Sequence, residues 1–232
     1  MLLAFPLRDD SPKLKPASVT YGIAFACLLV FVWELGLGRR VADADLVYGM
    51  VPAVLFGFAG LPARVHSIPP AATLISSIFL HASWLHLAGN MLYLWLFGRG
   101  VEAALGPVRY LILFLVCGVA AGLIQALIDP ASRIPMVGAS GAIAGVLGSY
   151  FVLFPRARIT LLIWVFFIVR IIGVPAVYLL ALWLLFQIVS AALVPGGTPG
   201  VAFGAHVGGF AVGAALMALF RPGAFRPRRP QR

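Results

Sequence analysis

Charge is what this sequence has least of. Of 232 residues only 10% are Asp, Glu, Lys or Arg, whereas 62% are hydrophobic. A soluble domain of this length needs far more charge to cover its surface. Acids are scarcest. The seven are Asp9, Asp10, Glu34, Asp43, Asp45, Glu102 and Asp129, and all read as tail, span-end or loop residues. The two cysteines, Cys27 and Cys117, lie inside apolar runs, where they read as small packing residues rather than a disulfide. No small-residue cleavage site follows the short apolar start, because Arg8, Asp9 and Asp10 come next; a signal peptide is not expected. Long-period repeats and a low-complexity core are absent too. The net charge of +10 is not read as a nucleic-acid footprint, since the arginines cluster beside apolar runs.

What is abundant is apolar sequence in runs of membrane-spanning length, about 20 residues for roughly 30 Å of hydrocarbon. Six spans are expected, over 19–35, 72–97, 110–128, 138–154, 173–194 and 204–220. The fold class this implies is an all-α membrane protein, with residues 1–17 as a cytoplasmic tail, 18–220 as a six-helix domain and 221–232 as a basic, Pro- and Arg-rich tail expected to be disordered. Gly36–Pro70 is too apolar for a plain solvated loop and is expected to lie partly in the outer interface. Ile159–Ile172 is apolar as well. Counting it as a span would put the basic C-terminus on the wrong side, so it reads as an interfacial segment leading into the fifth helix. With both termini cytoplasmic, thirteen Lys and Arg fall inside and four (Arg39, Arg40, Arg64 and Arg133) outside, which is the expected positive-inside bias.

Polar side chains inside these runs are few, and in lipid they need a reason. The second span holds His81, His86 and Asn90; the fourth opens with Gly138-Ala139-Ser140-Gly141; the sixth opens with Ala205-His206-Val207-Gly208-Gly209. Ser140 is 15 residues before Pro155, His206 is 15 before Arg221, and His86 is 13 before Arg99. At 1.5 Å per residue all three lie about 20–22 Å above the cytoplasmic flank. Three helices that are not consecutive thus carry polar groups at one level. The fourth and sixth spans are short, so their N-termini are expected within the outer third of the membrane, where free helix-end amides require protein or a water-filled cavity. Gly138, Gly141, Gly145 and Gly148 form one small-residue stripe and Ala205, Gly209 and Gly213 another. If the stripes face each other, the backbones approach closely and Ser140 meets His206.

The chemistry of that meeting is nucleophilic. A serine hydroxyl needs a base to take its proton, and histidine is the usual base at neutral pH. A carboxylate commonly orients the imidazole, but none is expected at this depth, so a Ser–His dyad is predicted, oriented by packing or another hydrogen bond. His86 and Asn90, spaced i, i+4 on one helix face, and the Ser140 backbone N–H are candidate oxyanion donors.

The run Phe79-Leu80-His81-Ala82-Ser83-Trp84-Leu85-His86-Leu87-Ala88-Gly89-Asn90-Met91 resembles the second-helix motif of rhomboid proteases. Gly138-Ala139-Ser140-Gly141 resembles their nucleophile motif, Ala205-His206-Val207-Gly208-Gly209 with Gly213 their sixth-helix motif, and Val101-Glu102 with Gly106 the segment after helix two. The resemblance covers about 17–220. It implies a rhomboid-like six-helix bundle with Ser140 as nucleophile, His206 as base, His86 and Asn90 at the oxyanion site, and His81, Gly138, Gly141 and Gly209 in support. It implies no cofactor, no metal, single-pass transmembrane proteins as substrates, and a bacterial inner membrane with the active site opening outward. In the family the fifth helix gates lateral entry, for which Trp183 and Phe186 are candidates. Two departures stand out. Pro69-Pro70 and Thr73 stand where some bacterial members carry Trp-Arg. Ala144 stands where an aromatic often stacks on the histidine.

Taken singly, each residue has a plainer reading: Ser140 as a packing residue of a Gly-rich helix, His206, His81, His86 and Asn90 as interhelical hydrogen bonders, Glu102 and Arg99 as a cap or ion pair. Their coincidence at one depth favours the site. Two rival functions are a zinc hydrolase using His81, His86 and His206, which lacks His-Glu-x-x-His, and a catalytically inactive relative that binds transmembrane clients.

Overall fold

Backbone groups carried into hydrocarbon must bond within their own segment, so uninterrupted apolar runs become helices. Helices dominate the computed structural model, which describes residues 2–12, 17–66, 68–165, 167–194 and 200–219. In chain order the elements are strand β1 (Leu2–Asp9), helices α1 (Ser18–Leu37), α2 (Val41–Tyr48), α3 (Pro52–Leu55), α4 (Thr73–Ser76), α5 (Trp84–Tyr93), α6 (Arg99–Leu105), α7 (Pro107–Ile128) and α8 (Ser140–Leu153), strands β2 (Arg158–Val165) and β3 (Ile168–Pro175), and helices α9 (Ala176–Leu193) and α10 (Phe203–Leu219). Among the described residues, three helical stretches, 18–48, 107–128 and 176–193, are long and apolar enough to cross a membrane, and a bent pair over 70–79 and 84–105 makes a fourth if taken as one span. Helices α8 and α10 are apolar but shorter. The chain is an integral, multi-pass membrane protein of mostly helical architecture. The basic tail read at 221–232 lies outside the described residues.

Two spans depart from their expected outline. The second is not one helix over 72–97: its halves meet at 82° across Leu80–Ser83. Leu80 is extended, and the amides freed by the break find side chains. The His81 N–H donates to Glu34 Oε2 at 3.1 Å and the His86 N–H to Ser83 Oγ at 3.1 Å, so Ser83 is the N-cap of α5. A π-helical turn over Leu94–Gly98 then joins α5 to α6. The fifth span starts at Ala176 rather than at 173, because Gly173 and Val174 pair with Thr160 and Ile159 in a sheet. That sheet, ordered β1-β2-β3 and antiparallel throughout, also takes up Leu2–Asp9 of the N-terminal segment.

Helix α8 is the centre of the bundle, with every residue from Gly141 to Tyr150 buried. It can be central because it is thin. A Cβ added at Gly209 would land on the Gly141 carbonyl oxygen, one at Gly213 on the Gly145 carbonyl oxygen, and one at Gly148 on the Phe210 carbonyl oxygen. The two small-residue stripes therefore face each other, backbone against backbone, and the Ser149 hydroxyl proton is shared between Gly145 O of its own helix (2.9 Å) and Gly213 O across the seam (3.2 Å). On the other side of α8, a Cβ at Gly141 would come 2.7 Å from Ala121 Cβ of α7. At the far end, Glu102 accepts from the backbone N–H groups of Val19 (2.9 Å) and Thr20 (2.8 Å), capping α1 against α6. Arg99 lies over the Trp95 ring at 5.0 Å. Cys27 and Cys117 are free and fully buried.

Seam glycines and open glycines should respond in opposite directions. Gly213→Ala is expected to destabilise the detergent-solubilised protein by about 1–3 kcal/mol through overpacking. Gly22→Ala, in α1 with no atom within 4 Å of the added methyl, should be neutral or stabilising by up to about 1 kcal/mol. Thermal unfolding of the two variants side by side checks this.

Candidate functional site

The seam delivers two side chains to one point. Ser140 is the first residue of α8, and His206 stands one turn into α10, four residues after the Ala202 carbonyl that accepts its backbone N–H. Ser140 Oγ lies 2.8 Å from His206 Nε2. The other ring nitrogen, Nδ1, lies 2.8 Å from Gln187 Oε1 of α9. An amide oxygen only accepts, so Nδ1 carries the proton and Nε2 presents its lone pair to the Ser140 hydroxyl. Gln187 thus fills the place that a carboxylate often holds. It escaped the sequence analysis, although one signal was available: a buried polar side chain within an otherwise apolar spanning helix.

Aromatic rings flank the imidazole. Trp183 lies 5.9 Å from it between centroids, at 30°, and Phe203 6.5 Å away, edge-on at 86°. Trp183, on the same helix as Gln187, therefore stacks on His206 in a protein that has Ala144 at the alternative position. Phe186 points elsewhere, to the Phe203 ring at 6.5 Å.

The second-span residues assemble on the other side of Ser140. Gly138 lies two residues before Ser140 with φ +117°, and a Cβ there would sit 2.6 Å from His86 Cε1, so both the backbone angle and the imidazole require glycine. Its N–H donates to Ser77 O at 2.8 Å, which fixes the approach to α8. Asn90 is buried, and its Nδ2 donates to the His86 carbonyl at 3.0 Å, leaving its second N–H for another acceptor. His81 is buried with its ring 5.2 Å from that of His86; its Nδ1 lies 3.1 Å from Phe79 O, and its backbone is held by Glu34. Glu34 is thus a buried acid close to the site, which its position near the end of α1 did not suggest. It touches the backbone of His81, not His206.

Two openings reach the pair. One cavity of about 570 Å³ is lined by His86, Gly138, Ser140 and His206 together with residues of the segments before α8 and α10. A second, of about 250 Å³, lies between α5 and α9 and is lined by Tyr93, Asn90, Ser140, Trp183 and His206. Ser140 and His206 belong to both, so the hydroxyl is accessible from the end of the bundle and from its side. Among the described residues, no three His, Cys, Asp or Glu converge as metal ligands.

A family model described as "Rhomboid domain" matches residues 70–223. The chain is 36% identical to "Rhomboid protein 1, mitochondrial" of Saccharomyces cerevisiae over 96 residues, 40% of this chain and 28% of that protein. It is 32% identical to "Rhomboid protease GluP" of Bacillus subtilis over 138 residues, 58% of this chain and 24% of that protein. It is also 31% identical to "Inactive rhomboid protein 1" of Drosophila melanogaster over 131 residues, 56% of this chain and 8% of that protein. In each case the chain spans less than a third of the relative's length. With the domain match running over well more than half of its residues, the chain belongs to the rhomboid family.

Proposed function

We propose that this protein is an intramembrane serine endopeptidase that hydrolyses peptide bonds of single-pass transmembrane proteins, with Ser140 as nucleophile and His206 as general base. The observation that carries the reading is the 2.8 Å approach of Ser140 Oγ to His206 Nε2 at the floor of an open cavity. The chain's similarity to "Rhomboid protease GluP" of Bacillus subtilis supports the reading.

The steps follow from the hydrogen bonds. His206 Nε2 takes the Ser140 proton as Oγ attacks the scissile carbonyl carbon, giving a tetrahedral intermediate with a negative oxygen. The imidazolium is stabilised by its Nδ1–H donating to Gln187 Oε1, and by the Trp183 face beside it. Nε2–H then protonates the leaving amine, and an acyl-Ser140 remains. Water enters through the cavity, loses a proton to His206, attacks the acyl carbon, and releases the acid with Ser140 restored. The oxyanion falls within reach of the Asn90 amide, the His86 ring and the Ser140 N–H, which as the first amide of α8 has no partner inside its helix.

The side opening between α5 and α9 suits a substrate that arrives within the bilayer, with Trp183 at its edge. Trp183 is then both a boundary of the entry route and a stacking partner of the base, and Phe186 acts on entry through Phe203. We place both termini on the cytoplasmic side of the membrane, from the distribution of Lys and Arg, and the cavity toward the opposite side.

Ser140→Ala and His206→Ala are each expected to abolish cleavage of a transmembrane substrate in liposomes while helical content is retained. A fluorophosphonate should label Ser140 in the parent and nothing in Ser140→Ala. An inactive member of the family, as the name of the Drosophila protein describes that protein, would neither cleave nor label. Asn90→Ala should lower kcat by up to about 10²–10³-fold, the loss of one oxyanion donor, measured as single-turnover rate. Gln187→Leu leaves Nδ1–H without an acceptor and should lower kcat by roughly 10- to 100-fold, the value of a hydrogen bond to a charged group, with KM unchanged in the same assay.

A further inference from the structure

Beyond the site, an exposed apolar surface with a definable chemistry lies at the other end of α8, on the three-stranded sheet. Strand β2 begins five residues after α8 ends, and β3 runs to Pro175, directly before the first residue of α9. Helix α9 is long and apolar enough to cross the bilayer. Its start therefore marks the membrane boundary, and the base of the hairpin lies at that level.

Paired residues of an antiparallel sheet share a face, and the faces alternate along each strand. Ile159 and Leu161 point to the bundle and are buried. The opposite face is formed toward the hairpin tip by Phe5, Leu162, Trp164, Val169 and Ile171, through the pairs Phe5 with Leu162, Leu162 with Ile171, and Trp164 with Val169. Phe5 and Trp164 are each 48% exposed, Val169 56% and Ile171 65%, and Phe167 at the turn is fully exposed. Toward the base the same face changes character to Arg8, Thr160 and Arg158, whose guanidinium lies beside Gly173. A sheet facing water carries polar residues on its outer face; this one carries them only nearest the bundle.

We propose that this sheet is a lipid-docking element: its distal half sits in the interfacial region of the leaflet where α9 begins, and Arg8 and Arg158 bind anionic headgroup phosphates. The two halves of the face match the two chemistries of that region, acyl boundary for Trp164, Val169 and Ile171, and phosphate for the guanidinium groups. The depth is limited by the backbone. Strands β1 and β3 are the edges of the sheet, and open edges are not tolerated in the hydrocarbon core, so the sheet lies at the interface instead of crossing. A second copy of the chain or a soluble partner would bury the same apolar residues, but neither accounts for the arginines of this face lying only at its base; Arg170, which pairs with Ile163, is on the opposite face.

The test places a nitroxide on Phe167→Cys and, separately, on Ile171→Cys in the full chain, reconstituted in vesicles of phosphatidylglycerol or of phosphatidylcholine; Cys27 and Cys117 are buried and need no replacement. Both labels are expected to collide more with oxygen than with a water-soluble nickel chelate, and to lie deeper in phosphatidylglycerol. The double variant Arg8→Gln/Arg158→Gln should lose the difference between the two lipids. Greater collision with the nickel chelate in both vesicles would overturn the proposal, as would labels accessible to neither reagent. Spin–spin broadening that disappears on dilution with unlabelled protein would assign the face to a second copy instead. Equal depth in both lipids would refute the headgroup contacts.

Discussion

The contact on which the rest depends is the backbone-to-backbone seam between α8 and α10. At Gly141, Gly145 and Gly148 on one helix and Gly209 and Gly213 on the other, no side chain separates the two main chains, and three of these positions have a carbonyl oxygen where a Cβ would go. Without a hydrophobic driving force between helices in lipid, close packing and interhelical hydrogen bonds must hold such a pair. Ser149, bonded to both Gly145 O and Gly213 O, supplies one of these bonds. The 2.8 Å distance between Ser140 and His206 at the end of the seam is a consequence of that approach. A methyl group at a crossing point moves one helix, and a hydrogen bond across it tolerates little movement.

Three of the irregularities in the bundle are matched by polar side chains that receive the freed backbone groups. The break at Leu80–Ser83 is held by Glu34 and Ser83, the start of α1 by Glu102, and the start of α10 by Gln125, which accepts from the Ala205 N–H at 3.1 Å. These few groups absorb most of the polar residues that the apolar sequence contains. The remaining ones, Ser140, His206, His86 and Asn90, converge on a cavity instead. The two groups are thus distinguished by place: the first receive backbone N–H groups where helices start or break, the second line the cavity walls.

The helical stretches and the facing of the two glycine stripes were legible in the amino-acid order. Apolar length has only one solution in hydrocarbon, and small residues at four-residue spacing have one dominant use. That Ser140, His206 and His86 would line one cavity was legible as well, since a helix converts residue count into height at a constant rise. The break in the second span was not, because hydropathy is blind to a bend whose His81 N–H donates to Glu34, an acceptor 47 positions away. The sheet was also hidden: Ile159–Ile172 is apolar on both faces, so no alternation marked it, and its partner Leu2–Asp9 comes from the far end of the chain.

The order of residues by itself therefore determined a helical membrane protein of the rhomboid kind and the identity of the serine and histidine pair. Tertiary structure alone decided that Gln187 orients the imidazole, that Trp183 stacks on it, and that the N-terminal segment completes a sheet with the hairpin before α9. The division has a physical cause. Span length, helical rise and small-residue spacing are local properties, carried by residues close in sequence, whereas a hydrogen-bond acceptor, a stacking ring or a strand partner is chosen by whatever the packed helices bring within a few ångströms.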